Sequence, residues 1–132
     1  MVLVSRGIKP EFVDERGGIT RLLDDGMTAI KSVLLITCRK GSVRANHFHK
    51  RDSHYSYMLS GSMEYTEQPV KGDGAFTGKK ESVLLESGDM VYTAPMMAHS
   101  MRFIEDSVFL ALATESRGQS AYEEDTVRVK LI

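Results

Sequence analysis

The chain's four histidines sit at spacings that could do chemistry. His47 and His49 are two residues apart, so on an extended strand both side chains leave one face roughly 6 to 7 Å apart and can converge on one point. His54 follows Lys50-Arg51-Asp52-Ser53, a polar stretch able to turn the chain back beside the pair, and His99 lies just past Pro95, from where it must arrive on a neighbouring strand. Convergent imidazoles have two uses. They can hold a transition metal, with zinc, iron, nickel, manganese or copper as the candidates, whereas magnesium and calcium call for oxygen donors. They can also move a proton at neutral pH, because an unperturbed imidazole titrates at about 6.5. His47, His49, His54 and His99 are accordingly the candidate metal set.

Strands must position them. Short apolar or alternating runs recur every ten residues or so, at 19–23, 31–37, 42–49, 53–59, 62–66, 81–85, 90–93, 99–103, 107–114 and 126–131, divided by Gly, Asp, Asn and Ser. No run keeps a 3.6-residue period over three turns. The expectation is an all-β antiparallel sandwich or barrel with less than one tenth of its residues helical. The stretch 67–80, with Pro69, Gly72, Gly74 and Gly78, reads as a long loop between the histidine-bearing halves. The tail 115–125 is polar and leads into an edge strand whose Arg128 and Lys130 face water.

Composition narrows the classes. A formal net charge of −1 argues against nucleic acid or a membrane surface as the main partner, and 42% hydrophobic with 27% charged residues is ordinary for a globular protein. The length suits a single domain spanning 1–132. Cys38, the only cysteine, lies in an apolar run and reads as a small core residue. With no targeting or membrane-spanning pattern, the expected compartment is the cytoplasm.

Glycines frame the histidines: Gly41-x5-His47-x-His49-x4-His54-x6-Gly61 spans 41–61, and Gly88-Asp-Met-Val-Tyr-Thr-Ala-Pro95-Met-Met-Ala-His99 opens a second block spanning 88–103. This layout resembles the two signature motifs of the cupin superfamily, and implies a small jelly-roll barrel with its site in the mouth. Three positions depart from the common pattern: His54 stands where glutamate is usual, Met96 where glycine is usual and Phe103 where asparagine is frequent. The neighbouring residues resemble a narrower branch, the dTDP-4-keto-6-deoxyhexose 3,4-ketoisomerases and 3,5-epimerases. Asp14-Glu-Arg16-Gly17 is similar to their opening, Arg44-Ala-Asn-His47-Phe-His49-Lys50 to their Arg-Gly-x-His-x-His-Lys, and Asp106-x-Val108-x-Leu110-x-Leu112-Ala113 to their closing strand.

That resemblance implies proton abstraction next to a ketone and return at the neighbouring carbon, with His49 or His47 as base and its partner. It implies a nucleotide sugar as substrate, Arg44 near it, and no metal at all if the isomerase mechanism holds. His54 is outside that branch's pattern and pulls the reading toward a four-histidine metal centre. Tyr57 is the candidate phenol donor, and Tyr55, Tyr92 and Met101 join Arg44 as candidate substrate contacts. A homodimer is expected, the branch pairing through N-terminal strands and the segment Met1 to Ile8 being apolar enough to join a partner's sheet. Two other functions stay open: a metal-dependent dioxygenase or lyase, and a non-catalytic small-molecule binder.

Overall fold

The structure, a computed structural model, describes all 132 residues. In chain order the elements are β1 (Leu3–Ser5), β2 (Phe12–Asp14), β3 (Gly17–Ile19), β4 (Ser32–Cys38), β5 (Val43–His49), β6 (His54–Ser60), β7 (Ser62–Pro69), β8 (Glu81–Glu86), β9 (Met90–Thr93), β10 (Met97–Phe103), β11 (Ser107–Ala113), α1 (Gln119–Asp125) and β12 (Thr126–Arg128). Two five-stranded antiparallel sheets, ordered β1-β9-β6-β11-β4 and β12-β5-β10-β7-β8, carry the site, and β2 and β3 form a separate hairpin. Strand makes up 51% of the chain and helix 5%, the jelly-roll sandwich expected of the cupin pattern. No helix is long and apolar enough to cross a membrane.

Alternation builds the core. On β6 the residues His54, Ser56 and Met58 are buried while Tyr55 and Tyr57 point the other way, and on β11 Phe109, Ala111 and Ala113 are buried between half-exposed leucines. Facing side chains from both sheets meet in one cluster, Met58, Val91 and Phe109 from the first against Met63, Tyr65, Leu85, Met101 and Phe103 from the second. Each large side chain so buried stabilises the fold by about 1.5–3 kcal/mol. Cys38 belongs to this cluster, as its apolar run suggested.

Several sequence expectations need correction. The stretch 67–80 is a shorter loop, because β7 continues to Pro69 and Val70 bridges Phe76. The run 19–23 forms strand only at its first residue, and the polar tail contains the seven-residue α1. The N-terminal segment, expected to enter a partner's sheet, pairs within its own chain, Leu3 with Tyr92 and Ser5 with Met90.

Two backbone features shape the site. Ala45 and Asn46 both have left-handed φ, 69° and 54°, and the register slips by one residue there: His99 pairs with His47, but Ser100 pairs with Ala45. This is a β-bulge, and it changes the parity of β5 so that Arg44 and His47, three residues apart, reach the same cavity. Asn46 tolerates this conformation, and its Oδ1 accepts from the Leu131 and Ile132 N–H groups. Met96, where the cupin pattern has glycine, is the third non-glycine residue with positive φ, at 60°. Its N–H donates to the His49 carbonyl, which holds the strained turn against the histidine strand.

Candidate active site

The inner faces of β4, β5, β6, β10 and β11 enclose a cavity of 310 Å³ that opens toward the tail. Leu34, Ile36, Met101, Phe109 and Ala111 form an apolar wall, and His47, His49, His54 and His99 form the opposite one. Arg117 and Tyr122 complete the lining. The volume is at the low end for ligand sites, about 300 Å³ upward, so it suits one sugar-sized ring and leaves anything larger outside. A wider, shallower groove of 840 Å³ lies at the other end of β5 and shares with the cavity only Arg44. Arg44 marks the border, its Nε 3.2 Å from Cys38 Sγ and its Nη2 donating to the Thr37 carbonyl.

The imidazoles are packed together. Ring centroids of His47 lie 4.6 Å from His49 and 4.7 Å from His99, and those of His54 lie 5.0 Å from His99 and 5.6 Å from His49. Hydrogen bonds fix the proton on three of them. His99 Nδ1 lies 3.0 Å from the Met97 carbonyl, which can only accept. His54 Nδ1 lies 3.1 Å from Asp52 Oδ2. Thr126 Oγ1, 3.1 Å from His49 Nδ1, already donates its hydrogen to the Tyr122 carbonyl and must accept from His49. Each of the three therefore carries hydrogen on Nδ1 and presents a bare Nε2. His49 Nε2 is buried with no hydrogen-bond partner in the protein.

Electrostatics keep His47, His49 and His99 neutral. Burial pushes the His47 pKa down to about 3, helped by the charges of His49, His54 and Arg117. Burial likewise lowers His49 to about 4, with His54 adding to the effect and Asp52 opposing it. His99, fully enclosed, is held well below the usual range by burial and then by His54 and His47. Asp52 is pushed upward by burial yet sits below the ordinary carboxylate range, because His54 and Arg117 outweigh it. Its Oδ1 also accepts from the Thr114 and Glu115 N–H groups, so this buried carboxylate is saturated with donors.

The donor set fits a transition metal. Nitrogen atoms of His47, His49 and His99 lie within 4.8 Å of one another, and the bare Nε2 atoms with tethered Nδ1–H groups are the arrangement of metal-ligating histidines. His54 falls in a second group, with His49 and Asp52, rather than with His47. The four-histidine expectation thus divides into a tight triple and a fourth ring anchored behind it.

Arg44 and Met101 line the cavity. The three tyrosines do not. Tyr55 and Tyr57 alternate with His54 and point outward, and Tyr92 pairs with Tyr55 on that outer face, their rings 5.0 Å apart. A phenol does reach the site, but from Tyr122 on α1, 5.7 Å from His49 and 6.2 Å from His47 between ring centroids, with Arg117 5.2 Å above it. Asp125 at the end of α1 accepts from the Arg51 and Asp52 N–H groups and so locks the turn between His49 and His54. Tyr122, Arg117 and Thr126 carried no spacing signal, since their elements fold against the histidines from far along the chain, whereas Asp52 stands two residues before His54 in the turn itself. Ser56 did carry one, two residues from His54 on the same strand face.

No protein-family model matches the sequence, and no curated protein matches it either. Solved structures do. The chain is similar to a double mutant of the QdtA 3,4-ketoisomerase from Thermoanaerobacterium thermosaccharolyticum in complex with TDP, at 26% identity and a TM-score of 0.72 over 96% of this chain and 86% of that one. It is similar to the dTDP-4-dehydrorhamnose 3,5-epimerase from Sulfolobus tokodaii, at 18% identity and a TM-score of 0.74 over 91% and 73%. The WlaRB TDP-quinovose 3,4-ketoisomerase from Campylobacter jejuni matches at 22% identity and a TM-score of 0.72 over 93% and 95%. The structural neighbours are thus sugar-nucleotide ketoisomerases and epimerases with the cupin fold.

Proposed function

We propose that this chain is an isomerase or epimerase of a nucleotide-linked keto sugar, which moves a proton at the carbon beside the ketone. The observation that carries the reading is His49 Nε2: bare, buried, without a partner, and lining a cavity large enough for one sugar ring. A general base needs a lone pair aimed at the substrate and a fixed tautomer, and the Thr126 hydroxyl supplies the second. His49 removes the proton to leave an enediolate; for isomerisation the neighbouring hydroxyl's proton passes to the former ketone oxygen as the carbon proton returns at the former ketone carbon, and for epimerisation the proton returns to the same carbon on the other face. Tyr122 is the phenol placed to assist that return. The sugar enters between the apolar wall and the imidazoles, while the nucleotide lies outside the 310 Å³ cavity, past Arg117 at its mouth. One structural neighbour is a QdtA variant in complex with TDP-4-keto-6-deoxyglucose, which makes that compound the first probe.

The experiment is incubation with that sugar nucleotide in D₂O, followed by NMR. Deuterium at a carbon next to the ketone is the expected result, lost in His49→Asn. Absence of both exchange and product in the wild-type protein refutes the reading.

The tight histidine triple supports a second, mutually exclusive reading of the site as a metal centre, with His47, His49 and His99 as ligands and His54 adjoining, in which His49 would give its lone pair to the ion and could not act as the base. A bound divalent ion would polarise the substrate carbonyl as a Lewis acid. A stoichiometric metal with oxygen consumption instead of isomerisation would favour a dioxygenase. A homodimer also remains part of the proposal. The outer face of the β1-β9-β6-β11-β4 sheet exposes Leu3 at one edge and Val33 and Leu35 at the other, apolar side chains that a second copy would cover. A single sedimentation boundary of monomer mass at micromolar concentration would exclude it. The lone, buried Cys38 is consistent with the reducing cytoplasm as the place of action.

A further inference from the structure

We propose that Ser56 is a catalytic hydrogen-bond donor, its hydroxyl set to bind the substrate oxygen that gains negative charge when the neighbouring carbon loses its proton. This deepens the isomerase reading and rests on it. Ser56 is fully buried, lines the cavity, and its Oγ has no hydrogen-bond partner in the protein. A buried hydroxyl left unpaired costs about 1–3 kcal/mol, so such a group calls for a partner that arrives from outside.

Its surroundings say what that partner is. On β6 it follows His54 by two residues and shares its face, and across the sheet it pairs with Ala111 on one side and Val91 on the other. These neighbours offer no polar atom, and the small Ala111 leaves the serine open to the cavity floor. Three of the four imidazoles cannot serve as donor there. His49, His54 and His99 have each committed their Nδ1–H to Thr126, Asp52 and Met97 and present only lone pairs. Arg44 is tied to Cys38 and Thr37, while Arg117 and Tyr122 belong to the tail that closes the mouth. Among the strand residues that line the cavity, Ser56 is the one hydroxyl, and it is buried with no partner in the protein.

The chemistry requires such a hydrogen. When His49 Nε2 takes the proton, the C–H bond breaks, an N–H bond forms, and the electron pair moves through the carbon–carbon bond onto the ketone oxygen. That oxygen becomes an enolate in a site of low dielectric, where a preorganised donor is worth most. The Ser56 hydroxyl keeps its hydrogen and shares it with the enolate. In epimerisation the enolate collapses as the proton returns to the same carbon; in isomerisation the proton returns at the former ketone carbon while the neighbouring hydroxyl's proton passes to the former ketone oxygen, and in both cases Ser56 is left unchanged.

Removal of one oxyanion donor lowers turnover by about 10²–10³-fold in other enzymes, and a neutral hydroxyl belongs at the lower end. In parallel assays of wild type, Ser56→Ala and Ser56→Thr on TDP-4-keto-6-deoxyglucose, kcat of the alanine variant should fall about 100-fold with KM within about twofold. The threonine variant, which keeps the hydroxyl, should recover part of the loss. Thermal unfolding adds a readout that separates chemistry from architecture: the alanine variant should melt no lower than wild type, since it deletes an unpaired polar atom. An active wild type with an equally active Ser56→Ala overturns this proposal alone. So does a variant that changes KM without kcat, or one that loses activity in step with a lowered melting temperature. A wild type that fails to turn over or exchange the sugar refutes the isomerase reading itself and this proposal with it.

Discussion

Acid should unfold this protein early, and the histidine cluster sets the range. His47 and His49 titrate at about 3 and about 4 in the folded chain, and His99 is depressed further by complete burial. In the unfolded chain each returns to about 6.5. The unfolded state therefore binds more protons between those limits, and stability rises with pH across the window. Above pH 6.5 the histidines cost nothing. At pH 5 each fully depressed imidazole favours unfolding by about 2 kcal/mol, from about 1.4 kcal/mol per pH unit over 1.5 units. His47 and His49 together approach about 4 kcal/mol and His99 acts in the same sense, a large share of the whole stability of many domains, about 5–15 kcal/mol. Glu67, whose pKa burial raises, works in the opposite sense at the lower end of the window and offsets a part. Urea unfolding in EDTA, which removes metal release as a second source of pH dependence, should show a midpoint that falls steeply from pH 7 to pH 5 with an unchanged slope m. His99→Asn should flatten that fall by about one proton. Equal midpoints at pH 7 and pH 5 would mean that the cluster is not held neutral, and would remove the basis for three bare Nε2 atoms.

Three further outcomes follow from particular contacts. Gly61→Ala should destabilise by more than about 3 kcal/mol, because φ is +86° and the new Cβ would lie 2.2 Å from Ser107 Oγ and 2.5 Å from the Asp106 carbonyl. Gly41→Ala, at φ +83° with nothing within 4 Å, should cost only about 1–2 kcal/mol in the same urea titration, and equal costs would refute the steric argument. Tyr122→Phe should lower turnover by about 100-fold or more while Tyr55→Phe, Tyr57→Phe and Tyr92→Phe stay within about twofold, and steady-state kinetics that single out Tyr57 would overturn the placement of the phenol. Metal titration by calorimetry should show the greatest loss of affinity in the alanine variants of His47, His49 and His99, and a smaller one in His54→Ala. A loss in His54→Ala as great as the others would restore the four-ligand set.

What the sequence disclosed, and what it concealed, both trace to the period of a strand. Eight of the ten expected runs became strands over most of their length, because alternating apolar residues between polar turns allow little else. The four histidines meet for the same reason, His47 and His49 by direct alternation and His99 by pairing opposite His47. The same rule, applied from His54 outward, already excludes Tyr55 and Tyr57 and selects Ser56 and Met58, so the misplaced tyrosines were an error of parity that the sequence could have corrected. Arg44 is the opposite case. Three residues from His47, it should face away by alternation, and only the left-handed pair Ala45–Asn46 brings it to the cavity. Neither residue announces a bulge as glycine would. The tail was harder still, because α1 is short, and its placement depends on Asp125 binding the Arg51 and Asp52 N–H groups and on Thr126 pairing with His49. Those bonds join residues more than seventy positions apart. A chain's local pattern fixes which face of a strand a side chain takes, but the partner that holds a histidine in one tautomer comes from wherever the fold returns. In this protein that partner, Thr126, decides whether His49 faces the cavity with a lone pair or with a proton.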